Sequence, residues 1–243
     1  PIVFMYICLE TLNANVGVII RMDLSMWRLL CFTLLLFQGN HGIWGQQEMS
    51  KDRTLLLPTV TIGTQKWTTK NLDVDRFRNG DLIAEAKTHE QWIAANREGK
   101  PVWCHFENNP SNGLTYGKLY NWYAVIDPRG LAPMGYRIPT DQDWITLGQE
   151  LGGEAVAGIH LKATEGWSNA GNGSNKAGFC ALPGGDRNSA GWFLFLGYYG
   201  AWWSSSEPQP GHPVRYYLDY APTALYRYVG NADGGCSIRL LKE

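Results

Sequence analysis

The stretch GGDRNSAGWFLFLGYYGAWWSSSE, residues 184–207, holds nine bulky apolar or aromatic residues between positions 192 and 203. Ring surface at this density either builds a core or forms a binding face. Trp202 and Trp203, which three serines follow, indicate a central strand with at least one buried ring. The rings at 192–199 lie between glycines, and we expect them to be displayed.

The sequence stays rich in aromatic residues as far as Asp233. Residues 191–233 contain twelve Trp, Phe and Tyr residues but no lysine. Tyr and Trp offer large contact areas at low entropic cost, and Arg adds planar hydrogen bonding. Pro and Gly interruptions in 216–234 predict exposed loops, although core packing of some rings is the alternative. We therefore predict a ligand-binding face made by residues 192–199 and 208–233, chiefly Trp192, Phe193, Phe195, Tyr198, Tyr199, His212, Arg215, Tyr216, Tyr220, Tyr226, Arg227 and Tyr228.

Two short helices are predicted upstream of this face. Thr88 with Gln91 three residues later is typical of a capping box at a helix start. Thr140 with Asp143 has the same spacing, and the apolar positions that follow share one helix face until glycines 152–153.

Strands are predicted at both ends of the folded part. Apolar residues flank a Gly63–Thr64 turn, which is typical of a hairpin. In GGCSIRLL, residues 234–241, apolar residues alternate as in a closing strand. The aromatic run YGKLYNWYAV, residues 116–125, is too dense for its periodicity to distinguish strand from helix, and we expect it to be buried.

Composition excludes several functional classes. The 21 basic and 22 acidic side chains give a net charge of -1, which offers no footprint for nucleic acid. The sequence lacks a nucleophile elbow, a P-loop, a dinucleotide fingerprint and CxxC or HxxxH spacing, so we expect no catalytic residue, no metal site and no cofactor. Cys104, Cys180 and Cys236 allow one disulfide and one free thiol, but their spacing does not select the pair.

The N-terminal part has the layout of a secretory signal. Arg28 precedes the apolar run Leu29–Phe37, which is short for a membrane span, and glycines follow near a plausible cleavage point. A membrane anchor or a buried helix is the alternative, and Met5, Met22 and Met26 all remain open as start residues. The expected organisation is an upstream segment at 1–21, a signal peptide at 22–45, a linker at 46–57 and one domain at 58–243.

Eight motifs, taken together and in order, resemble the Fibrobacter succinogenes major paralogous domain family from about Thr59 to Glu243. They are GTQKWTTKNLDV, VWCHFEN, YGKLYNWYAV, LAPMGYRIPTDQDWITLGQELGG, AGIHLKAT, GFCALPGGDRNSAGWF, GAWWSSSE and GGCSIRLLKE. The resemblance implies an α+β, C-type-lectin-like fold with two short helices packed on a twisted antiparallel sheet with long loops. It also implies a secreted or cell-surface protein of the bacterial envelope.

Signatures of fold relatives can be compared with this chain. Glu207-Pro208-Gln209 partly matches the Glu-Pro-Asn type loop of the calcium-dependent lectin sugar site, but the Trp-Asn-Asp motif of that site does not follow it. Cys236 stands alone where formylglycine-generating enzymes have paired cysteines near the chain end. Neither calcium-dependent sugar binding nor formylglycine chemistry is therefore expected.

Some proteins of this fold are variable targets of diversity-generating retroelements, which rewrite adenines in the codons of a C-terminal binding face. Many residues between 201 and 233 are types reachable from an Asn codon by such changes, and the flanking blocks keep the family framework. Ordinary drift in tolerant loops is the alternative.

Our leading hypothesis is a secreted or surface-displayed binding module. Its partner would be a protein or glycan ligand on another cell or surface, with no nucleic acid and with membrane contact only through an uncleaved N-terminal segment. The alternatives are a formylglycine-generating-type oxidoreductase and a structural envelope protein.

Overall fold

The computed structural model describes the backbone of residues 4–8 and 17–21, and residues 56–221 and 223–243 in full. The chain forms two compact units, Pro1–Arg53 and Thr54–Glu243. In the first, strands β1 (Phe4–Cys8) and β2 (Gly17–Arg21) pair antiparallel, within the segment expected to lie upstream of the fold. The expected signal peptide at 22–45 and most of the expected linker lie outside the described residues.

The second unit is an α+β domain with three sheets. The predicted hairpin is confirmed as β3 (Thr59–Ile62) and β4 (Gln65–Thr68), with Gly63 in the left-handed turn between them. This hairpin belongs to a four-stranded sheet in the order β3-β4-β15-β8, where β8 is Tyr136–Arg137 and β15 is Leu241–Lys242.

A six-stranded sheet crosses the middle of the domain. Its strands are β5 (Ala84–Glu85), β6 (Val102–Cys104), β7 (Leu119–Asn121), β9 (Asp186–Arg187), β10 (Phe193–Leu194) and β14 (Gly235–Cys236). The order is β10-β9-β14-β7-β6-β5, and the β5–β6 pair alone among these is parallel.

The third sheet is antiparallel, in the order β11-β12-β13. Its strands are β11 (Tyr199–Trp203), β12 (Val214–Asp219) and β13 (Tyr226–Val229). Trp202 and Trp203 are both buried in β11, which confirms the strand predicted there. The prediction of loops at 216–234 is wrong for residues 216–219 and 226–229, because they lie in strands β12 and β13.

The two predicted helices are confirmed with Thr88 and Thr140 as their N-caps, but the capping box predicted at Thr88 is incomplete, because Gln91 Oε1 accepts from the Lys87 N–H instead of the Thr88 N–H. Helix α1 spans His89–Arg97, and its cap Thr88 accepts a hydrogen bond from the Gln91 N–H. Three further helices were not predicted: α2 (Pro110–Tyr116), α3 (Trp122–Val125) and α5 (Glu154–Leu161).

Helix α4 spans Asp141–Glu150, and Thr140 and Asp143 form a full capping box at its start. The glycines at 152–153 separate α4 from α5, so they mark a helix start as well as a helix end. None of the helices in the described part of the chain is long and apolar enough to span a bilayer.

Two stretches contain more than one kind of secondary structure or more than one strand. The run 116–125 is strand β7 followed directly by helix α3, and its residues are mostly buried as expected. The terminal stretch does not alternate as one closing strand, because residues 235–241 are buried at every position and only the ends of the stretch lie in strands, β14 and β15.

Aromatic rings fill the core between the helices and the sheets. Trp144 of α4 lies 4.8 Å from Trp67 and 5.0 Å from Tyr216, measured between ring centroids. Trp203 lies 5.6 Å from Trp122 on the other side of β11. These rings therefore contact the third sheet on both sides of β11 and fix its position in the domain.

Candidate ligand-binding cleft

The alternation of β12 decides which of its side chains face outward. Val214, Tyr216 and Leu218 are at most 1% exposed, whereas Arg215 and the two other intervening residues are half-buried. Successive side chains of a strand point to opposite faces, so one face of β12 packs on the core. The other face presents Arg215, Tyr217 and Asp219.

That outward face forms the floor of a cleft of about 870 Å³. Loops that follow β9 and β10 provide one side, and the segment after β13 provides another. We call this feature the cleft. Its lining residues are Asp186, Asn188, Ser189, Leu194, Phe195, Tyr198, Tyr199, Arg215, Tyr217, Asp219, Tyr220, Tyr228, Asn231, Asp233 and Gly234.

Six aromatic rings line the cleft. Tyr217 lies in their centre, with centroids 4.9 Å from the stacked ring of Tyr226 and 5.0 Å from Tyr199. Tyr198 and Tyr220 meet edge to face at 5.5 Å and 86°. The rings therefore support one another and hold fixed orientations, as a preorganised binding surface requires.

A buried pair of opposite charges lies at the cleft floor. The Asp186 carboxylate is 3.7 Å from the Arg215 guanidinium, and the two side chains are 10% and 23% exposed. The Arg215 guanidinium also lies 4.7 Å from the centroid of the Tyr228 ring, its cross-strand neighbour. Burial raises the pKa of Asp186 to about 6, and the charge of Arg215 opposes that rise.

The pair is incompletely satisfied by hydrogen bonds. Asp186 Oδ1 and Arg215 Nε have no hydrogen-bond partner among the described residues. A buried polar atom without a partner is uncommon in native structures and costs stability. Unpaired groups on both sides of one ion pair mark this position as a candidate for ligand contact.

The adjacent residue explains how Asp186 reaches the cleft. Arg187 points to the other side of β9, is fully buried, and donates to the carbonyl oxygens of Ala86, Thr88 and Gly191 at 2.9 to 3.0 Å. These bonds fix the strand to the start of α1. Because neighbours on a strand face opposite ways, Arg187 holds Asp186 toward the cleft.

Further carboxylates and amides surround the floor. Asp219 and Asp233 line the cleft together with Asn188 and Asn231. The carbonyl oxygen of Asp233 accepts hydrogen bonds from Trp92 Nε1 at 3.3 Å and Asn96 Nδ2 at 2.8 Å, which tie this wall to α1. The cleft lining therefore offers both hydrogen-bond acceptors, on its aspartates, and groups that donate and accept, on its asparagines.

Half of the twelve predicted face residues are brought together in the cleft. They are Phe195, Tyr198, Tyr199, Arg215, Tyr220 and Tyr228. The predicted range 208–233 contains Tyr217, Asp219 and Asp233 without naming them as contact residues, and Asp186 lies outside both predicted ranges. For Tyr217 and Asp219 the signal was present, because VRYYLD alternates with Arg, Tyr and Asp on one face. For Asp186 no local signal existed.

Tyr216 does not belong to the cleft. It is fully buried, stacks on Trp144, and donates from its hydroxyl to Asp141 Oδ1 at 2.7 Å. Arg227 binds both oxygens of the same carboxylate at 2.8 and 2.7 Å, so it contacts the start of α4. Burial corrects the place of Tyr216 in the predicted face, whereas Arg227 stays exposed but lies outside the cleft lining. Tyr226 supports the cleft only indirectly, through its stacking on Tyr217.

Three other predicted residues also lie outside the cleft lining. Trp192 is 58% exposed, and its ring centroid is 4.2 Å from that of His89. Phe193 packs at 5.2 Å on Phe106 in a core cluster. His212 is exposed in a turn, where its Nδ1 is 3.1 Å from the Pro210 carbonyl oxygen. The cleft is therefore narrower than the face expected from composition.

The cysteines form no disulfide among the described residues: Cys104, Cys180 and Cys236 are all free thiols. Burial raises the pKa of Cys104 to about 11 and that of Cys236 to about 12. Both are therefore protonated thiols at neutral pH and poor nucleophiles. The described residues contain no group of three or more His, Cys, Asp or Glu side chains arranged to hold a metal ion.

Comparison with known proteins identifies the domain family. No significant match exists among curated proteins or among solved structures. The sequence model of the Fibrobacter succinogenes major domain matches residues 60–242, which confirms the resemblance seen in the eight motifs. The chain therefore belongs to the Fibrobacter succinogenes major domain family.

Proposed function

We propose that the domain is a ligand-binding module, secreted or displayed on a bacterial surface, that recognises a protein or glycan through the cleft. The observation that carries the proposal is the coincidence of six supported rings with an incompletely bonded Asp186–Arg215 pair in one concavity. Concave sites with aromatic walls and a few convergent polar groups are typical of ligand binding. Localisation rests on the secretory layout of residues 22–45 alone.

The enzyme alternative has less support. Formylglycine chemistry needs a reactive cysteine, and burial keeps Cys236 protonated next to Arg215. The raised pKa of Asp186 would suit acid–base chemistry, but burial keeps the nearby Cys236 thiol protonated, so it is a poor nucleophile. A purely structural envelope role would not account for the aromatic rings that line the cleft.

The same proposal includes a C-type-lectin-like arrangement of the α+β domain, as the family resemblance implies. It also includes diversification of exposed C-terminal positions by a retroelement. Buried positions such as Ala201, Val214 and Leu225 are poor targets, because core substitutions destabilise the fold. A reverse transcriptase gene beside a near-copy of the coding sequence that differs at adenines would support diversification. A complete locus that lacks both would contradict it.

A binding survey with matched variants tests the module. The full chain is applied to an array that carries oligosaccharides and bacterial envelope proteins. We expect Tyr198→Ala and Tyr228→Ala each to weaken retained binding by about tenfold, near 1.4 kcal/mol. Trp192→Ala is the control, because Trp192 is more exposed than either tyrosine but lies outside the cleft.

Two outcomes would count against the proposal. Loss of binding in Trp192→Ala with the tyrosine variants unaffected would place the site elsewhere. Absence of binding to every array component would contradict a recognition role on surfaces of this kind.

A further inference from the structure

We infer that the cleft takes a neutral, polyhydroxylated ligand, a short segment of a glycan, whose hydroxyl groups bind the Asp186–Arg215 pair. This inference rests on the proposed function and narrows its ligand. The argument uses the charge, the hydrogen-bonding groups and the ring geometry of the cleft.

Charge disfavours an anionic ligand. Three aspartates and one arginine line the cleft, and the described lining contains no lysine and no histidine. The single cation, Arg215, already faces Asp186 and the Tyr228 ring. A phosphate, sulfate or uronic acid group would therefore meet excess negative charge.

The same pair disfavours a cationic ligand at the floor. A ligand ammonium group that approached Asp186 would also approach the Arg215 guanidinium, 3.7 Å from that carboxylate. Like charges at such a distance repel strongly in a half-buried site. A neutral ligand avoids both penalties.

The hydrogen-bonding groups match hydroxyls. An ionised carboxylate only accepts and a guanidinium only donates, whereas a hydroxyl does both. Two neighbouring hydroxyls of one sugar ring can donate to Asp186 and accept from Arg215. Oδ1 and Nε lack partners but are themselves buried, so the ligand contacts the pair through the exposed part of each side chain, 10% for Asp186 and 23% for Arg215. Asn188 and Asn231 add amide groups that donate and accept along the walls.

The rings supply surfaces for the C–H faces of sugars. Tyr198 and Tyr220 form a corner at 86°, and Phe195 is 60% exposed at the rim. A sugar ring has apolar C–H groups on its faces and hydroxyls at its edge, so it can cover a tyrosine face while its edge reaches the floor. The volume of about 870 Å³ is within the range of small-ligand sites and suits a few sugar units. A folded protein partner would instead need a broader interface.

Titration calorimetry of the full chain tests the inference. The probes are neutral cello-, xylo-, manno- and malto-oligosaccharides, with oligogalacturonate as the anionic and chitosan oligomers as the cationic comparison. We expect at least one neutral probe to bind, with an affinity that changes less than about twofold between roughly 0.05 and 0.5 M salt. Both charged probes should bind more weakly.

Matched variants assign the contact. Asp186→Asn should weaken the neutral probe by about tenfold or more. Asp75→Asn, at an exposed position outside the cleft, should leave it unchanged. Thermal unfolding shows whether Asp186→Asn is folded, and Tyr198→Ala provides a second cleft variant if it is not.

The outcomes separate this inference from the proposed function. Preference for a charged probe, or unchanged affinity in both cleft variants, overturns the neutral-glycan ligand. If no neutral probe binds while the array still shows cleft-dependent binding to a protein, the ligand class is overturned and the module stands. If neither assay shows cleft-dependent binding, both proposals fail.

Discussion

Asp186 holds its carboxyl group where ionisation is unfavourable. Burial raises its pKa to about 6, from an ordinary value of 3.8, although Arg215 lies nearby. The folded protein therefore binds this proton more tightly than the unfolded chain does. The stability that this group contributes is fully present below about pH 4 and is lost as the pH rises through about 6.

Replacement of Asp186 by Asn should therefore stabilise the protein at neutral pH. The amide has nearly the same shape and carries no charge, so we expect a gain of roughly 2 kcal/mol near pH 7.5 and almost none near pH 4. Urea unfolding at the two pH values measures the difference. Equal effects at both pH values would mean that the carboxylate charge is not the cause.

The exposed Asp75→Asn substitution is the control and should change stability by less than about 0.5 kcal/mol. If Asp186→Asn gains stability and loses ligand affinity together, the residue is kept for binding at a cost to the fold. Such a trade-off is characteristic of functional sites.

At the scale of single elements, alternate side chains of β12 face the core and the cleft. Tyr216 is fully buried between Trp144 and the start of α4, whereas Tyr217 lines the cleft. Tyr216→Ala should lower the free energy of unfolding by about 3 to 5 kcal/mol, because it leaves a cavity. Tyr217→Ala should lower it by less than about 1.5 kcal/mol but should remove ligand binding.

Paired measurements check this contrast between adjacent tyrosines. Chemical denaturation gives the stability of each variant, and binding is measured under conditions in which both are folded. Tyr216→Phe is the matched control, and loss of its hydroxyl bond to Asp141 should cost about 1 kcal/mol. If Tyr217→Ala lost more stability and Tyr216→Ala lost ligand binding, the opposite face of β12 would pack on the core.

Helix α4 offers a second prediction at this scale. The Thr140 hydroxyl oxygen accepts a hydrogen bond from the Asp143 N–H, and the Asp143 carboxylate accepts one from the Thr140 N–H. Thr140→Ala should destabilise the domain by about 1 kcal/mol, and Thr140→Ser should recover most of the loss because it keeps the hydroxyl. Thermal unfolding measures both variants, and a loss unchanged by Ser would indicate methyl packing rather than capping.

The sequence predicted these elements unevenly, for physical reasons. Caps are local, so α1 and α4 were predicted at their correct starts. Pro222 and two glycines suggested loops in 216–234, yet the pairing of β12 with β11 and β13 overrode that local preference. In VRYYLD, residues 214–219, every second residue is apolar or aromatic and faces the core, and this pattern places Tyr217 on the opposite side. The prediction rested on the number of aromatic residues, which does not distinguish buried rings from exposed ones.

At the scale of the whole domain, several sheet strands are too short to predict. Strand β14 has two residues and pairs with both β7 and β9, and β15 has two residues between β4 and β8. Their partners lie far away in sequence, so no local pattern specifies them. Asp186 belongs to this class, because its place in the cleft depends on the pairing of β9 with β14 and on the bonds of Arg187 to Ala86 and Thr88, all of them contacts between residues far apart in sequence.

Arg239 joins distant parts of the domain and supports the last prediction. It is fully buried, and its guanidinium donates to the carbonyl oxygens of Thr68, Phe179 and Cys180 and to Asn71 Oδ1 at 2.6 to 2.9 Å. These acceptors come from the end of the first hairpin and from the segment before β9. No lysine can reproduce this planar fork.

Arg239→Lys should therefore destabilise the domain by about 3 kcal/mol or more, because buried acceptors lose their donors. Arg76→Lys, at an exposed position, is the control and should be near neutral. Denaturation monitored by tryptophan fluorescence measures both. Since Arg239 fixes the segment that leads into β9, we also expect the folded fraction of Arg239→Lys to bind the neutral probe more weakly. Unchanged affinity in that fraction would show that Asp186 is positioned without this link.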